Sequence, residues 1–493
     1  MTAFKFFSLA LLATLGALSP NARADGRGGR LGLGMECLDR DLWNPEPAYD
    51  VLTELAVTRV RLQSGWARTE KVRGVYDFAW LDRIMGELKK RNVEPWICLC
   101  YGNPLYAAAE DGEQKYTGQT MNPLHSAEAR ERWLAYVRET VRRYRNQVRV
   151  WEVWNEPDVS HFLKIAPNKT WSEEYVELLK ITAEAIRGVQ PSARVAVQTA
   201  GGPDGRMRAV ASLFEQGAGR FADIYSFHAY VPQPEMFTRD RQDAFYSLVR
   251  RHAPQIEFWR GEAGIASEYS GSGALSVRGL SESVQARWMS RHLVRDLSDP
   301  QIGFTSYFHL YDFEHYSHTV RYHYGLLRHD YSRKPSFGVF KRLKRLLDDG
   351  EAEIDRSIGF KFDLWPWDKP APGDEAYLNT AVAYAFRRKG LPLVAFTATT
   401  PFLEEHEPVR FLGLAFFGSS AERWRDPVLV DLVDGSAVRV EQRESWPEPK
   451  LVLPLKPHVQ IVTEAAALLP YYDLGAAGTN AVRTVRQTQS DHE

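Results

Sequence analysis

Between Arg30 and Gly350 the chain alternates short apolar runs with longer stretches whose apolar residues return every three or four positions. The short runs fall at 31–36, 58–62, 95–100, 149–154, 194–199, 223–229, 256–260 and 305–310. Their β-branched, aromatic and leucine-rich content predicts strands covered on both faces. The longer stretches, such as 78–90, 126–145, 172–189, 281–296 and 336–347, predict helices. Within 127–145, Trp133, Tyr136, Val137, Val141 and Tyr144 share one face while Arg and Glu fill the other. Eight such units predict an α/β fold, a (β/α)8 TIM barrel over 30–350. The rival is an open doubly wound sheet. Its glycine-rich phosphate turn is missing, because Gly32-Leu33-Gly34 lacks a third glycine at the required spacing.

After Gly350 the rhythm changes. A Trp- and Pro-rich connector at 364–373 leads into alternating runs at 380–386, 393–397, 409–417, 428–432, 451–455 and 459–463. These predict a smaller C-terminal β-sandwich over 351–470, followed by a polar tail, 471–493.

The 493 residues include 62 basic and 63 acidic side chains, a net charge of −1 that gives no electrostatic grip on nucleic acid or an anionic membrane. At 44% hydrophobic and 25% charged, the composition excludes wholesale disorder. Three cysteines cannot build a disulfide scaffold, and Cys98 and Cys100 read as small buried hydrophobes on one strand face. Lys5, the apolar run 6–18 and Ala22-Arg23-Ala24 have the anatomy of a signal peptide, residues 1–24. The run falls short of the roughly 20 residues a membrane span needs. The expectation is export to the periplasm or medium, with no membrane insertion after signal removal.

In a barrel the reactive groups belong at the C-terminal strand ends. Two glutamates stand there, each closely followed by Pro or Gly: Glu156 in Trp154-Asn155-Glu156-Pro157, and Glu262 in Arg260-Gly261-Glu262-Ala263-Gly264. Two carboxyl groups flanking a sugar can cleave a glycosidic bond if one is protonated and the other ionised. Glu156, beside Trp154, suits the acid. Glu262, with Arg260 two residues earlier on the same predicted face, suits the nucleophile. Strict alternation would turn Asn155 and Glu156 to opposite faces, so the strand end must bulge or twist. Glu152 points inward by the same count, and Arg59 is its expected partner. Trp66, Tyr101, Trp171 and Tyr316 are candidate sugar platforms. The histidines at 309, 315, 318, 323 and 329 match no standard metal spacing and read instead as a sugar-facing loop, so no metal is expected.

Asn-Glu-Pro ending the fourth strand, with a Glu ending the seventh, resembles the clan-A retaining glycoside hydrolases. Tyr76-Asp77-Phe78, Leu81-Asp82, Pro95, Gly201-Gly202-Pro203, Ser226-Phe227-His228-Ala229-Tyr230 and Tyr307-Phe308-His309, with Asp312 and Glu314, are similar to the β-xylosidase and α-L-iduronidase family, family 39, of that clan. The resemblance implies Glu156 as acid/base and Glu262 as nucleophile. It implies Asn155 on the sugar 2-hydroxyl, Tyr230 hydrogen-bonded to the nucleophile, His228 lining the site and Arg61 keeping Glu262 ionised. Phe308 and His309, with Trp66 and Tyr101, complete the expected substrate-binding set. Gly261 stands where the family often has Thr, and Phe308 where it usually has Trp, so the floor of the central subsite differs. The expected activity is retaining hydrolysis of an oligo- or polysaccharide by double displacement, without a cofactor. A transglycosylase, and a non-catalytic carbohydrate-binding protein on a decayed barrel, are the alternatives.

Overall fold

A computed structural model describes residues 29–107, 121–203, 206–269, 274–275, 278–317, 320–364, 380–399, 410–417, 424–440, 442–443, 450–474 and 483–484. The expected signal peptide, nearly all of the connector and most of the polar tail lie outside these residues.

Eight strands close into a barrel in chain order, every neighbouring pair parallel. They are β1 (Leu31–Gly34), β2 (Arg59–Gln63), β3 (Glu94–Leu99), β4 (Val150–Val153), β5 (Arg194–Thr199), β6 (Ile224–Phe227), β7 (Glu257–Ala263) and β8 (Ile302–Tyr307). Helices follow each strand in turn: α1 (Tyr49–Glu54), α2 (Ala79–Lys90), α3 (Ala127–Tyr144), α4 (Trp171–Val189), α5 (Met207–Glu215), α6 (Arg239–Arg250), α7 (Glu282–Ser298) and α8 (Pro335–Leu347). Local chemistry sets several helix starts. Ser126 accepts from the Ala129 amide to cap α3, and Thr170 with Glu173 forms a capping box on α4. The predicted stripe of α3 is buried from Trp133 to Tyr144 and packs against α4, where Trp133 Nε1 donates to Thr182 Oγ1 at 2.9 Å.

The barrel interior is layered. Trp96, Val150, Ala196, Ile224, Trp259 and Phe304 form an apolar plug. Toward the C-terminal strand ends the inward side chains turn polar: Arg61, Glu152, Gln198 and Ser226 are all fully buried. That change of chemistry along the barrel axis places the site.

A hairpin of β9 (Phe313–Ser317) and β10 (Val320–Tyr322) lies between β8 and α8. Beyond the barrel are two antiparallel sheets. One orders as β11 (Ala352–Ile354), β13 (Ala381–Arg388), β14 (Leu391–Ala398), β20 (Gln460–Glu464), β16 (Pro427–Asp431) and β17 (Ala437–Arg439). The other orders as β12 (Gly359–Leu364), β15 (Arg410–Phe417), β19 (Lys450–Leu455) and β18 (Gln442–Arg443). Val394, Phe396, Leu414, Leu451, Leu453 and Val462 share an apolar core drawn from both sheets, the sandwich expected from the sequence. The strands β11, β12, β17 and β18 escaped the periodicity reading because they are short or half-polar. Among the described residues no helix is long and apolar enough to cross a membrane.

Candidate active site

Glu156 and Glu262 reach the same point by two backbone irregularities. Strand β4 stops at Val153, and Trp154 and Glu156 then take left-handed backbone angles, φ 65° and 46°. That twist resolves the alternation conflict between Asn155 and Glu156. Gln198 of β5 fixes the turn by accepting from the Glu156 amide. In β7 the pairing with β8 slips between Arg260 and Ala263. Arg260 consequently points outward, to Asp296 of α7 at 3.0 Å, while Glu262 points inward. The expectation that Arg260 serves Glu262 is therefore corrected: a bulge breaks the shared face that simple alternation gives them.

The cation on Glu262 is Arg61 of β2. Its Nη1 donates to Glu262 Oε1 at 2.6 Å and to Glu36 Oε1 at 3.0 Å. Its Nε donates to Glu152 Oε1 at 3.1 Å, and its Nη2 donates to Asn155 Oδ1 at 3.0 Å. Burial opposes the charge on Arg61, but Glu152, Glu262 and Glu36 outweigh it and hold the guanidinium firmly protonated. Glu152 thus pairs with Arg61 and not with Arg59. Arg59 lies a layer lower, against Glu94 at 3.2 Å, with its guanidinium over the Trp259 ring.

His228 stands between the two carboxyl groups, its Nδ1 at 3.0 Å from Glu156 Oε1 and 3.4 Å from Glu262 Oε2. One donor atom from each of Glu156, His228 and Glu262 lies within 4.8 Å of the others. Burial lowers the His228 pKa to about 4, so the imidazole is neutral near pH 7. Tyr230 donates its hydroxyl to Glu262 Oε2 at 2.8 Å, and burial keeps that phenol protonated. Glu262 therefore receives one hydrogen bond on each oxygen. Among the described residues no such pair of donors meets Glu156. Burial raises its pKa to about 7, with Arg61 and Arg206 pulling the other way.

Gly261 explains how His228 fits. A Cβ there would stand 2.2 Å from Ser226 Oγ and 2.8 Å from His228 Nε2. The space a Thr side chain would need is taken by Ser226 and His228.

The remaining sequence candidates divide. Phe308 is partly exposed beside Tyr324 at the end of β8. His309 is fully buried, accepting at Nδ1 from the Tyr311 amide and donating at Nε2 to the Glu36 carbonyl. It braces the β1 loop and is corrected from a sugar contact to a packing residue. Trp66 is fully buried too, donating to Glu70 Oε2 and packed among Tyr106, Trp133 and Tyr136. It offers no ring face for stacking, so that expectation is corrected. Tyr101 is 3% exposed and accepts from Gln63 Nε2 at 3.3 Å, too covered to form a platform. Trp171 begins α4 and stacks on Tyr175. The Tyr316 side chain and His318 lie outside the described residues. His323 and His329 meet glutamates: His323 lies 2.9 Å from Glu314 and 3.3 Å from Glu268, and His329 lies 3.1 Å from Glu314.

Three residues of this neighbourhood were missed from the sequence. Glu36, just past β1, is buried beside Arg61, and burial pushes its carboxyl pKa up. The strand-end rule that singled out Glu156 applies to it equally, because the predicted run 31–36 ends on Glu36. Gln198 faces inward from β5, and an uncharged amide gives no signal in a single sequence. Asp158 accepts from the Ala200 amide at 2.7 Å, tying the loop after β4 to the loop after β5, and burial raises its pKa to about 6.

Residues 59–242 match the model of Glycosyl hydrolases family 39. A β-xylosidase from Geobacillus stearothermophilus is 31% identical over 136 residues, 27% of this chain and 25% of that protein. The β-galactosidase BgaA of Clostridium cellulovorans is 28% identical over 138 residues, 25% of this chain and 20% of that protein. The chain thus spans about a quarter or less of the length of these curated relatives. In three dimensions a family 39 glycoside hydrolase from the gut symbiont Bacteroides cellulosilyticus WH2 superposes with a TM-score of 0.61 at 17% identity, covering 88% of this chain and 80% of that one. In sequence from β2 into α6, and in fold across barrel and sandwich, the protein is similar to the glycosyl hydrolases of family 39.

Proposed function

We propose that the protein is an exported retaining glycoside hydrolase acting on an oligo- or polysaccharide. The observation that carries this reading is the placement of Glu156 and Glu262 with carboxyl oxygens within 4.8 Å of each other, one beside neutral His228 and the other held by Arg61 and Tyr230. That closeness of the two oxygens accords better with the roughly 5–5.5 Å carboxyl separation of retaining enzymes than with the about 6.5–9.5 Å of inverting ones.

In the first step Glu262 attacks the anomeric carbon, while Glu156 passes its proton to the departing glycosidic oxygen. The Glu156 carboxylate then takes a proton from water, the water oxygen attacks the same carbon, and Glu262 is released. Arg61 and Tyr230 hold the two Glu262 oxygens, so the nucleophile is oriented before substrate arrives. Arg61 accepts nothing and donates to Asn155 Oδ1, leaving the Asn155 amide nitrogen to donate to a sugar hydroxyl. No step needs a cofactor. The relatives' names suggest β-xylosides and β-galactosides as first substrates to test, and the signal-like residues 1–24 support export.

Glu262→Ala should nearly abolish release of nitrophenol from whichever 4-nitrophenyl glycoside the wild type cleaves, with an unchanged circular dichroism spectrum. Near wild-type turnover in that variant would end the assignment.

A further inference from the structure

On the same face of the barrel as the carboxyl pair, at the ends of β1, β2 and β3, lies a half-open cavity of about 310 Å³ lined by Asp39, Arg40, Asp41, Arg68, Lys71 and Tyr101, among others. We infer that this cavity is a second sugar subsite on the glycone side, which holds the ring next to the one attacked by Glu262. The inference rests on the glycosidase reading above and deepens it: the substrate carries at least two sugar units on the retained side of the scissile bond.

Three observations support it. The first is chemical. Arg40 pairs with Asp39 at 3.3 Å and Arg68 with Asp41 at 2.9 Å, so donors and acceptors are offered together in fixed geometry. Paired guanidinium and carboxylate groups suit sugar hydroxyls, which both donate and accept.

The second is conformational. Cys37 and Asp41, which bracket the turn Leu38–Arg40, both have left-handed backbones, φ 66° and 59°. Gly65 opposite is also left-handed, φ 63°, and a Cβ there would stand 2.9 Å from both Asp39 Cβ and Trp80. Unfavourable backbone at non-glycine positions persists where the surrounding structure requires it, and such residues cluster at ligand sites. Here they aim Asp39 and Arg40 into the concavity.

The third is connection. Gln63 Oε1 accepts from Arg40 Nη2 at 2.6 Å, and Gln63 Nε2 donates to Tyr101 Oη. Gln63 is two residues beyond Arg61 on β2, and Arg61 holds Glu262. Strand β2 therefore carries both a residue that holds the cavity lining and the residue that holds the nucleophile. The leaving group departs toward the acid, Glu156, so the ring seated here belongs to the part of the substrate that stays on the enzyme.

The test compares 4-nitrophenyl monosides and biosides of xylose, galactose and glucose on the full chain. Wild type should favour a bioside over its monoside by about tenfold or more in kcat/KM. Arg68→Ala and, separately, Lys71→Ala should each cut that ratio severalfold. A fold defect would lower both substrates together and leave the ratio unchanged, and that result would overturn the inference, as would a wild-type ratio near one. Soaking Glu156→Gln crystals with xylotriose, cellotriose and galactotriose supplies a second reading. A ring in the Arg40–Arg68 cavity supports the subsite, and a ring at the carboxyl pair with the cavity empty refutes it. Turnover of no glycoside and binding of no trisaccharide would defeat the glycosidase reading itself and this inference with it.

Discussion

Arg61 donates to Glu262 at 2.6 Å through the same guanidinium that holds Glu36, Glu152 and Asn155. One buried cation thus organises three carboxyl groups and an amide from three strand ends, those of β1, β4 and β7. The planar fork is what allows this, because its five N–H donors leave in fixed directions. Lysine keeps the charge but cannot span the four partners. Arg61→Lys is therefore expected to lower kcat/KM by about 10²-fold, the scale of losing an oriented charged donor, with far-ultraviolet circular dichroism unchanged. Steady-state kinetics on an aryl glycoside would check it. A loss below threefold would show that charge alone suffices.

The pH dependence follows from Glu156. Its pKa is raised to about 7 by burial, and the acid role needs the protonated form. Activity should therefore be present below pH 7 and fall as pH rises through about 7, giving kcat/KM a basic limb there. In Glu156→Gln the limb should disappear, because the remaining amide does not titrate. Turnover of a substrate with a poor leaving group should also drop by about 10² to 10⁴, the usual worth of a general acid. A basic limb that survives in Glu156→Gln would assign the ionisation to another group.

The barrel was legible in the sequence because strands covered on both faces leave uninterrupted apolar runs, and each helix between them repeats a buried stripe. The catalytic candidates were legible because carboxylates at strand ends are rare enough to count. Partner identities were not. Arg59 and Arg61 share one face of β2, so alternation alone cannot say which meets Glu152. The answer lies in the staggered pairing of three strands: Arg59 is level with Glu94, while Glu152 is level with Cys98 and so with Gln63. The outward turn of Arg260 was hidden for a related reason, since a bulge changes the face without changing the residue types around it. Trp66 and His309 misled because large aromatic residues just past strand ends serve equally well as packing, and burial is a property of the folded molecule.

Metal removal should have no effect. Glu156, His228 and Glu262 present donor atoms close enough to one another for an ion. Both oxygens of Glu262 already accept, however, one from Arg61 and one from Tyr230, and a divalent cation would have to sit against the guanidinium. Prolonged dialysis against EDTA, with activity assayed before and after, should leave kcat/KM within about twofold. A loss restored by added Zn²⁺, Mn²⁺ or Ca²⁺ would mean that these three side chains form a metal centre and not an acid–nucleophile pair.

Arg388 is one buried cation that fastens the sandwich to the barrel, and its removal should be felt in stability and not in turnover. Arg388, at the end of β13, is fully buried. It donates to Asp349 Oδ1 at 2.6 Å and Oδ2 at 2.7 Å, to the Leu346 carbonyl in α8 at 3.3 Å and to the Ala467 carbonyl at 2.9 Å. Arg388→Met fills similar space but leaves Asp349 and two carbonyls without their donor. Breaking a buried pair from one side costs about 3–5 kcal/mol, and the partial exposure of Asp349 puts this case near the lower end. Burial works against the Asp349 charge, but hydrogen bonds, with Arg388 foremost, hold its pKa below the ordinary aspartate value. The stabilisation it brings is therefore present above that ordinary value and lost as pH falls through the lowered one. Urea melts at pH 7 should show the variant less stable by about 3 kcal/mol, with the difference from wild type shrinking toward low pH. The site lies at the opposite, C-terminal end of the strands, so kcat/KM below the melting range should stay within about twofold. Equal stability of the two proteins would show that the other contacts between sandwich and barrel, such as those of Arg342 with the Leu432 and Val433 carbonyls, suffice without Arg388.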